Sequence, residues 1–201
     1  MNDQYHHGDL KNALIQAGIE ILSKEGVQAL SLRSVARRAG VSHAAPYAHF
    51  ADKEALIAAI AAEGYRKLYA KLTAAQQASG DPLVRLHQTA FAYLQFALDE
   101  PDHFRITFAG VVEAERDYPE YVEQSQRCYA LVVELVKACQ ARGLFTDEDT
   151  QLFAVSIWSS IHGFAQLAIA NQLPGALVSR KSIHDIFRFH LRQLLAGLEK
   201  P

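Results

Sequence analysis

The sequence predicts an all-α protein of about nine helices. Apolar residues recur at helical spacing along nearly the whole chain of 201 residues. No segment shows the alternation of apolar and polar residues that a half-buried strand requires. Four prolines, Pro82, Pro101, Pro119 and Pro174, stand at boundaries between helical segments, where a missing N–H costs little.

The first two helices carry clear end signals. Residues 10–22 place their apolar side chains in one stripe, and Gly26 follows as a C-cap signal. Ser31 is the expected cap of a short helix over residues 32–39, which ends at Gly40. The chain therefore opens with a helix, a turn and a short helix.

The other helices follow from similar signals. Ser42 opens a short segment that runs through Phe50, and Asp52 starts a long helix that ends before Gly80. Thr146, with three acidic residues behind it, resembles a helix N-terminus. The later helices are expected at about residues 82–99, 101–109, 119–142, 147–172 and 181–198.

The placement of charge is more informative than the net charge of −2. Residues 33–53 hold four basic side chains against one acidic side chain, so they form a basic island in a faintly acidic chain. Residues 151–179 contain no charged side chain, but polar residues interrupt this run and Pro174 ends it. The run predicts a helix buried on most sides inside a protein, and not a membrane span.

The composition predicts a folded cytoplasmic protein. Half of the residues are hydrophobic, which is enough for a substantial core. The N-terminus lacks the apolar core and basic flank of a signal peptide. Cys128 and Cys139 lie too far apart along one helix to form a disulfide, as expected for free thiols in a reducing cytosol.

The turn between the second and third helices carries the first functional signal. It reads Ala39-Gly40-Val41-Ser42, in which Gly40 supplies a left-handed turn, Val41 can reach the core and Ser42 can cap the next helix. This is the spacing of a helix-turn-helix, whose second helix enters the major groove of DNA. A plain helical hairpin would show the same turn and stays an alternative at this point.

A specific set of residues surrounds this turn. The set is Ser31-Leu32-Arg33, Val35-Ala36, the turn itself, and Tyr47-Ala48-His49-Phe50-Ala51-Asp52-Lys53 with Leu56. With these residues, the chain over residues 8–56 resembles the N-terminal domain of the tetracycline-repressor (TetR) family of bacterial transcription regulators. A later segment, Trp158-Ser-Ser-Ile-His162-Gly163, is similar to the Trp…His-Gly motif of one C-terminal subgroup.

The resemblance implies two domains. A helix-turn-helix DNA-binding domain would cover residues 1–55, and a helical effector-binding and dimerisation domain would cover residues 56–201. Residues 56–79 would form the helix that connects them. In the family, the last two helices of each subunit form a four-helix dimer interface. Two wide apolar surfaces near the C-terminus agree with this, since a monomer would leave one of them exposed.

The resemblance also implies which side chains meet DNA. Tyr47, His49 and Lys53 would contact phosphates, for which hydroxyl, imidazole and ammonium groups are suitable donors. Ser31 would help to hold the DNA backbone. Base reading would fall to Arg33, because arginine pairs with guanine, and to His43, Ala44 and Ala45 at the start of the recognition helix, where an alanine methyl can meet the methyl group of thymine. The DNA-binding set is Ser31, Arg33, Ser42, His43, Ala44, Ala45, Tyr47, His49 and Lys53.

Pro46 departs from the family pattern, which usually places an aliphatic residue inside the recognition helix. If Ser42 is the cap, Pro46 removes an intrahelical hydrogen bond. If His43 is the cap, Pro46 lies in the first turn and costs little. We therefore predict a recognition helix that starts late or is kinked.

The expected ligands are a palindromic operator in double-stranded DNA, read by a two-fold homodimer, and a small, largely apolar or aromatic effector. His162 could offer the effector a polar handle, or it could be a buried histidine held by a backbone carbonyl. The candidate effector-binding residues are Phe91, Phe104, Phe108, Trp158, His162 and Phe164.

No motif in the sequence argues for catalysis. A nucleophile elbow, a phosphate-binding glycine loop and a His-Glu-x-x-His segment are all missing, so we expect no enzyme activity, metal or cofactor. The favoured function is a ligand-responsive repressor. A helical protein that binds or sequesters a small molecule without a DNA function stays an alternative, because residues 1–63 hold six basic and seven acidic side chains.

Overall fold

The computed structural model describes residues 7–78, 80–110 and 118–198. These residues form nine α-helices and two 3-10 helices, and no strand occurs among them, so the all-α prediction is confirmed. The elements are α1 His7–Glu25, α2 Leu32–Ala39, η1 Ala45–Ala48, α3 Lys53–Ala75, η2 Gln76–Ala78, α4 Pro82–Asp99, α5 Pro101–Thr107, α6 Pro119–Ala141, α7 Thr150–Ile169, α8 Gly175–Val178 and α9 Ile183–Ala196.

The described residues divide into two compact units. The first unit is drawn from residues 1–66 and 102–125, and the second from residues 67–101 and 126–201. The first unit therefore contains α1, α2 and η1, whereas the second contains α4, α7, α8 and α9. Helices α3 and α6 contribute residues to both.

The core of the first unit joins α1, α2 and α3. Leu14, Val35, Leu56 and Ile60 are at most 1% exposed. Gly18 permits a close approach of α1 to α3, because a Cβ at this position would lie 2.7 Å from the Cδ1 atom of Ile60. Burial of this apolar surface holds the three helices together and fixes the position of the turn between α2 and η1.

Cap geometry explains where the first helices begin and end. The Ser31 hydroxyl accepts the N–H of Ser34 at 3.0 Å, and the Ser34 hydroxyl accepts the N–H of Ser31 at 2.9 Å, which is a reciprocal capping box. Gly26 and Gly40 both adopt positive φ, 80° and 71°, so both predicted C-caps are confirmed. The Asp52 carboxylate accepts the N–H of the third residue of α3 at 2.8 Å.

The helix that follows the turn starts late, as Pro46 predicts. It is the 3-10 helix η1, with Ala44 at the cap position and no side-chain cap hydrogen bond. The expectation that Ser42 caps this helix is therefore wrong, and His43 is not the cap either. Pro46 lies within the first two positions of η1, where its missing N–H would have no helical partner.

The N-cap of helix α7 is Asp149 and not Thr146, which corrects the sequence prediction. The Asp149 carboxylate accepts the N–H groups of Gln151 and Leu152 at 2.7 and 3.4 Å. Its negative charge also stabilises the positive end of the helix. The N–H of Thr146 instead donates to the carbonyl of Leu198 at 3.0 Å. The short helix α8 has no counterpart in the prediction.

Helix α7 has one buried and one exposed apolar face. Its length and its mean hydropathy of 1.4 would suit a membrane span. The core helix of a soluble protein can have the same length and hydropathy. Within one chain, 39% of this apolar stretch is buried, so the expectation that α7 is covered on nearly all sides is wrong for the single subunit. Its exposed apolar residues are Leu152, Val155, Trp158 and Leu167.

Candidate functional site

The turn between α2 and η1 is closed by two backbone hydrogen bonds. The N–H of Gly40 donates to the carbonyl of Arg37 at 3.3 Å, and the N–H of Val41 donates to the carbonyl of Ala36 at 3.0 Å. Phe50 is buried, whereas Val41, which the turn predicts to reach the core, is only half-buried. These contacts turn the chain out of α2 and present the following residues on a rigid support.

The side chains predicted to bind DNA around the turn are mostly accessible. Arg33 is exposed in the first turn of α2, and none of the ion pairs of the described residues includes it. Ser42, His43 and Ala44 are exposed in the turn, and Ala45 is half-buried at the start of η1. The hydroxyl of Ser31, exposed beside Arg33, is already engaged with Ser34 in the capping box.

The side chains predicted to bind phosphates lie at the end of η1 and the start of α3. Tyr47 is 55% exposed, so it is not a core tyrosine. His49 is half-buried. Lys53 donates from Nζ to the carbonyl of Val27 at 2.5 Å, which ties α3 to the loop before α2. Because an ammonium group has three N–H donors, two remain for an anionic oxygen.

Charge in this region is concentrated on a few accessible groups. Arg38 contacts Glu20 at 3.2 Å and Glu25 at 2.5 Å, so two carboxylates of α1 neutralise it. Arg37 is exposed on the surface of α2. The basic island of the sequence is therefore reduced, and Arg33, Arg37 and Lys53 carry its outward positive charge.

The aromatic residues predicted to bind an effector do not form one group. Phe104 and Phe108 belong to the first unit, with ring centroids 4.9 Å apart. The other four belong to the second unit. Phe104 is fully buried, which is the environment of an ordinary core residue.

Phe91 and Phe164 pack against a third ring, Phe187 of α9, at centroid distances of 5.1 and 5.0 Å. His190 stacks on Phe164 at 5.4 Å, and its Nε2 lies 3.0 Å from the Ser160 hydroxyl. Sequence analysis missed Phe187 and His190 as neighbours of the candidate residues. Helical spacing places Phe187 on the apolar face of the last helix, but spacing alone does not reveal which rings it contacts.

Trp158 and His162 form a polar aromatic cluster with Tyr93 of α4. The Nδ1 atom of His162 lies 2.7 Å from the Tyr93 hydroxyl, and its Nε2 lies 3.3 Å from Nε2 of Gln166. The Trp158 and His162 ring centroids are 6.1 Å apart. Burial lowers the pKa of His162, so this imidazole is neutral at pH 7 and has one donor and one acceptor nitrogen.

Two protein-family models match this chain and together cover both of its predicted domains. A family model described as bacterial regulatory proteins of the tetR family matches residues 14–60. A second, described as the tetracyclin repressor-like C-terminal domain, matches residues 86–194, more than half of the chain. The chain belongs to the TetR family.

This TetR-family chain resembles named regulators along nearly its whole length. It is 26% identical to the uncharacterized HTH-type transcriptional regulator YobS of Bacillus subtilis (strain 168), over 95% of this chain and 93% of that protein. It is 27% identical to the HTH-type transcriptional regulator BetI of Rhizobium meliloti (strain 1021), over 90% and 89%. A solved structure from Rhodococcus sp. RHA1, of unknown function, matches with a TM-score of 0.83 and 32% identity, over 99% of this chain and all of that one.

The exposed apolar side chains of this TetR-family chain concentrate on its last long helices. The side chains of Leu152 and Phe189 are 62% and 58% exposed, although leucine and phenylalanine are usually buried in folded proteins. Of the nine large apolar residues exposed among the described residues, five lie on α7 and α9. A surface of this kind is typical of a protein interface.

The cysteines of this TetR-family chain are free and buried. Burial raises the pKa of the Cys128 thiol to about 12 and that of Cys139 to about 11, so both stay protonated and unreactive. Within residues 7–78, 80–110 and 118–198, no group of three or more His, Cys, Asp or Glu side chains is placed to hold a metal ion.

Proposed function

We propose that this TetR-family regulator is a cytoplasmic, ligand-responsive repressor without enzyme activity. It binds a palindromic operator as a homodimer and is released by a small effector. The observation that carries the proposal is the accessible set of donors around the helix-turn-helix. Arg33 and Tyr47 are exposed, and Lys53 keeps two donors, at the positions where the family pattern places DNA contacts.

The division of labour follows the family plan. Residues 1–55 form the DNA-binding domain, and residues 56–201 form the body that binds the effector and dimerises. The connecting helix, residues 56–79, lies largely within α3. Because α3 contributes residues to both compact units, a conformational change in the body can reach the DNA-binding domain through it.

In this proposal the DNA-binding domain uses few but well-placed contacts. Tyr47, His49 and Lys53 bind phosphates and set the position of the protein on the duplex. Arg33 and the residues around the start of η1, from His43 to Ala45, face the base edges. Ser31 contributes mainly through the N-terminus of α2, because its hydroxyl already bonds Ser34. Since few cations are involved, non-specific attraction to DNA should be weak.

The dimer in this proposal forms through α7 and α9. Leu152, Val155 and Trp158 on α7 and Phe189 on α9 give each subunit an exposed apolar surface. Two such helix pairs can bury one another as a four-helix interface, which removes these side chains from water. A two-fold dimer then presents two recognition segments to two half-sites of a palindrome.

The effector site of this proposal centres on His162 in the second unit. The Tyr93–His162 hydrogen bond, next to the indole of Trp158, offers a neutral polar handle in aromatic surroundings. An effector that binds here releases DNA only if it has a higher affinity for the body conformation that does not fit the operator. Phe91 and Phe164 are the other aromatic candidates of this unit, whereas Phe104 and Phe108 belong to the first.

A gel-shift experiment with the intergenic DNA beside the protein's own gene tests the proposal. We expect a shifted band that weakens as salt rises, because phosphate contacts release counterions. Absence of salt-sensitive binding at this DNA and at any selected palindrome would contradict the proposal. It would favour the alternative, a helical protein that binds or sequesters a small molecule.

A further inference from the structure

We propose a second small-molecule site in the first unit, in a cavity of about 200 Å³ that takes a neutral aromatic ring carrying a hydroxyl group. The cavity lies among α1, α3, the end of η1 and the start of α6, and all of its lining residues belong to this unit. It shares no residue with the effector site proposed around His162. The inference therefore goes beyond the proposed function.

The space exists because α3 presents alanines where larger side chains could stand. Ala55, Ala58, Ala59 and Ala62 recur at helical spacing and all line the cavity. This cavity is open to solvent on one side, unlike the enclosed apolar cavity of about 150 Å³ that binds benzene in another protein, but its volume of about 200 Å³ has room for a single ring with a small substituent. Phe50, itself 3% exposed, adds an aromatic wall.

The polar groups of the lining select the substituent. Lys11 and Glu120 both line the cavity, and Nζ of Lys11 lies 3.4 Å from Oε2 of Glu120. The other oxygen, Oε1, is held more closely by Arg66, at 2.5 Å. A donor and an acceptor of opposite charge thus stand side by side, with side chains 40% and 48% exposed.

The Lys11–Glu120 pair suits a ligand group that both donates and accepts hydrogen bonds. A neutral hydroxyl can accept from the Lys11 ammonium and donate to the Glu120 carboxylate. A carboxylate in the same place would meet the charge of Glu120, and an ammonium would meet that of Lys11. The lining also includes His49, so an occupant would lie against a residue proposed to bind phosphate.

Three probes with the same ring and different charge test this site in the absence of DNA: phenol, benzoate and benzylammonium. Binding to the full chain is followed through its ¹³C-labelled alanine methyl groups, which include Ala58 and Ala62 in the lining. We expect phenol to shift these signals with a Kd on the order of millimolar, and the two ions to bind about tenfold more weakly. Equal affinity for all three probes, or no shift with phenol, would overturn the proposal.

Two variants and one control variant, Ala70→Leu, locate the binding. Ala59→Leu fills the cavity, so phenol affinity should fall at least about tenfold. Ala70→Leu, at an exposed position of the same helix, should leave it unchanged. Glu120→Gln keeps the shape of the side chain and removes its charge, so benzoate should gain about tenfold in affinity. Unchanged phenol binding in Ala59→Leu, or unchanged benzoate binding in Glu120→Gln, would contradict the site. Because no DNA is present, neither result depends on the proposed repressor function.

Discussion

Arg33, Arg38 and Lys53 are basic residues of one short segment, yet the structure gives them different surroundings. Arg38 is neutralised by Glu20 and Glu25, whereas Arg33 is exposed and outside the ion pairs of the described residues. Lys53 uses one donor to hold the loop before α2. A nearly neutral chain can thus present positive charge at a few chosen points.

Replacement of Lys53 and Arg33 should have different effects on DNA binding. Lys53→Gln would remove the proposed phosphate contact, so affinity should fall similarly for all sequences and the salt slope should decrease by about one. Arg33→Ala should cost about 1–3 kcal/mol at its preferred base and relax the preference there. Fluorescence anisotropy titrations over a range of salt concentrations and operator variants would measure both effects.

Arg37→Gln is the matched control for these variants, because Arg37 is also exposed on α2 but is not part of the DNA-binding set. Its effect should be smaller than that of either replacement. A loss of affinity in Lys53→Gln that is confined to one sequence would contradict its role as a phosphate ligand. Urea unfolding of each variant separates this loss from a loss of stability, since Lys53 also bonds Val27.

His162 and His190 should make the protein less stable as the pH falls. Burial lowers the pKa of both imidazoles below their ordinary value of 6.5, so below this pH the unfolded chain binds more protons than the folded one. The free energy of unfolding should therefore decrease between about pH 7 and pH 5. Urea unfolding at several pH values should show a smaller decrease for His162→Gln than for the wild type. An equal decrease in both proteins would show that His162 titrates normally.

Element boundaries show how far the sequence alone could predict this structure. The positions of α1, α2 and α4 follow from apolar spacing with Ser31, Gly40 and Pro82, because these end signals act within one turn of the helix. The start of α7 could not be placed, because Asp149 competes with Thr146, whose N–H bonds the distant Leu198. Competition of this kind depends on tertiary contacts that local sequence does not contain.

Local sequence was enough to predict the effect of Pro46, but it was not enough to predict the hydrogen-bond partner of His162. The late start of η1 follows from the geometry of proline itself. The partner of His162, Tyr93, lies 69 residues away in sequence, so no spacing rule could pair them. Exposure of Tyr47 and the engagement of Lys53 with Val27 likewise required the folded structure.

Helices α3 and α5 cross closely at Gly64, and this contact should be sensitive to one added methyl group. A Cβ at Gly64 would clash with the Thr107 Oγ1 atom, although alanine is otherwise favourable in a helix. Gly64→Ala should therefore destabilise the protein by about 1–3 kcal/mol in urea unfolding. Thr107→Ala removes the clashing oxygen, so the double variant should recover part of this loss. Simple additivity of the two single variants would contradict the contact.

At the scale of the whole molecule, an exposed apolar surface on α7 and α9 accompanies a DNA-binding domain with few cations. Two copies of such a domain on one DNA site can supply the affinity that a single copy lacks. The proposed dimer would therefore be a condition for operator binding. Burial in such a dimer would also account for the lack of charged residues along α7, part of which is exposed in one chain.

A single charge in this surface should break the dimer. Phe189→Glu places a carboxylate at a 58% exposed apolar position of α9, and burial of an unpaired charge opposes association. Sedimentation velocity should show a monomer, and affinity for a palindrome should fall at least about tenfold. Val84→Glu, at another exposed apolar residue, is the control and should remain dimeric. A dimeric Phe189→Glu would place the interface elsewhere.

Selection of binding sequences from a random pool of double-stranded DNA distinguishes an operator-binding regulator from a helical protein without a DNA function. We expect enrichment of one palindrome, bound by two chains per site with an affinity that falls as salt rises. Arg33→Ala should select a changed base at symmetric positions of that palindrome. A pool that shows no enrichment, with protein that is folded and dimeric, would contradict the claim that this chain is an operator-binding regulator.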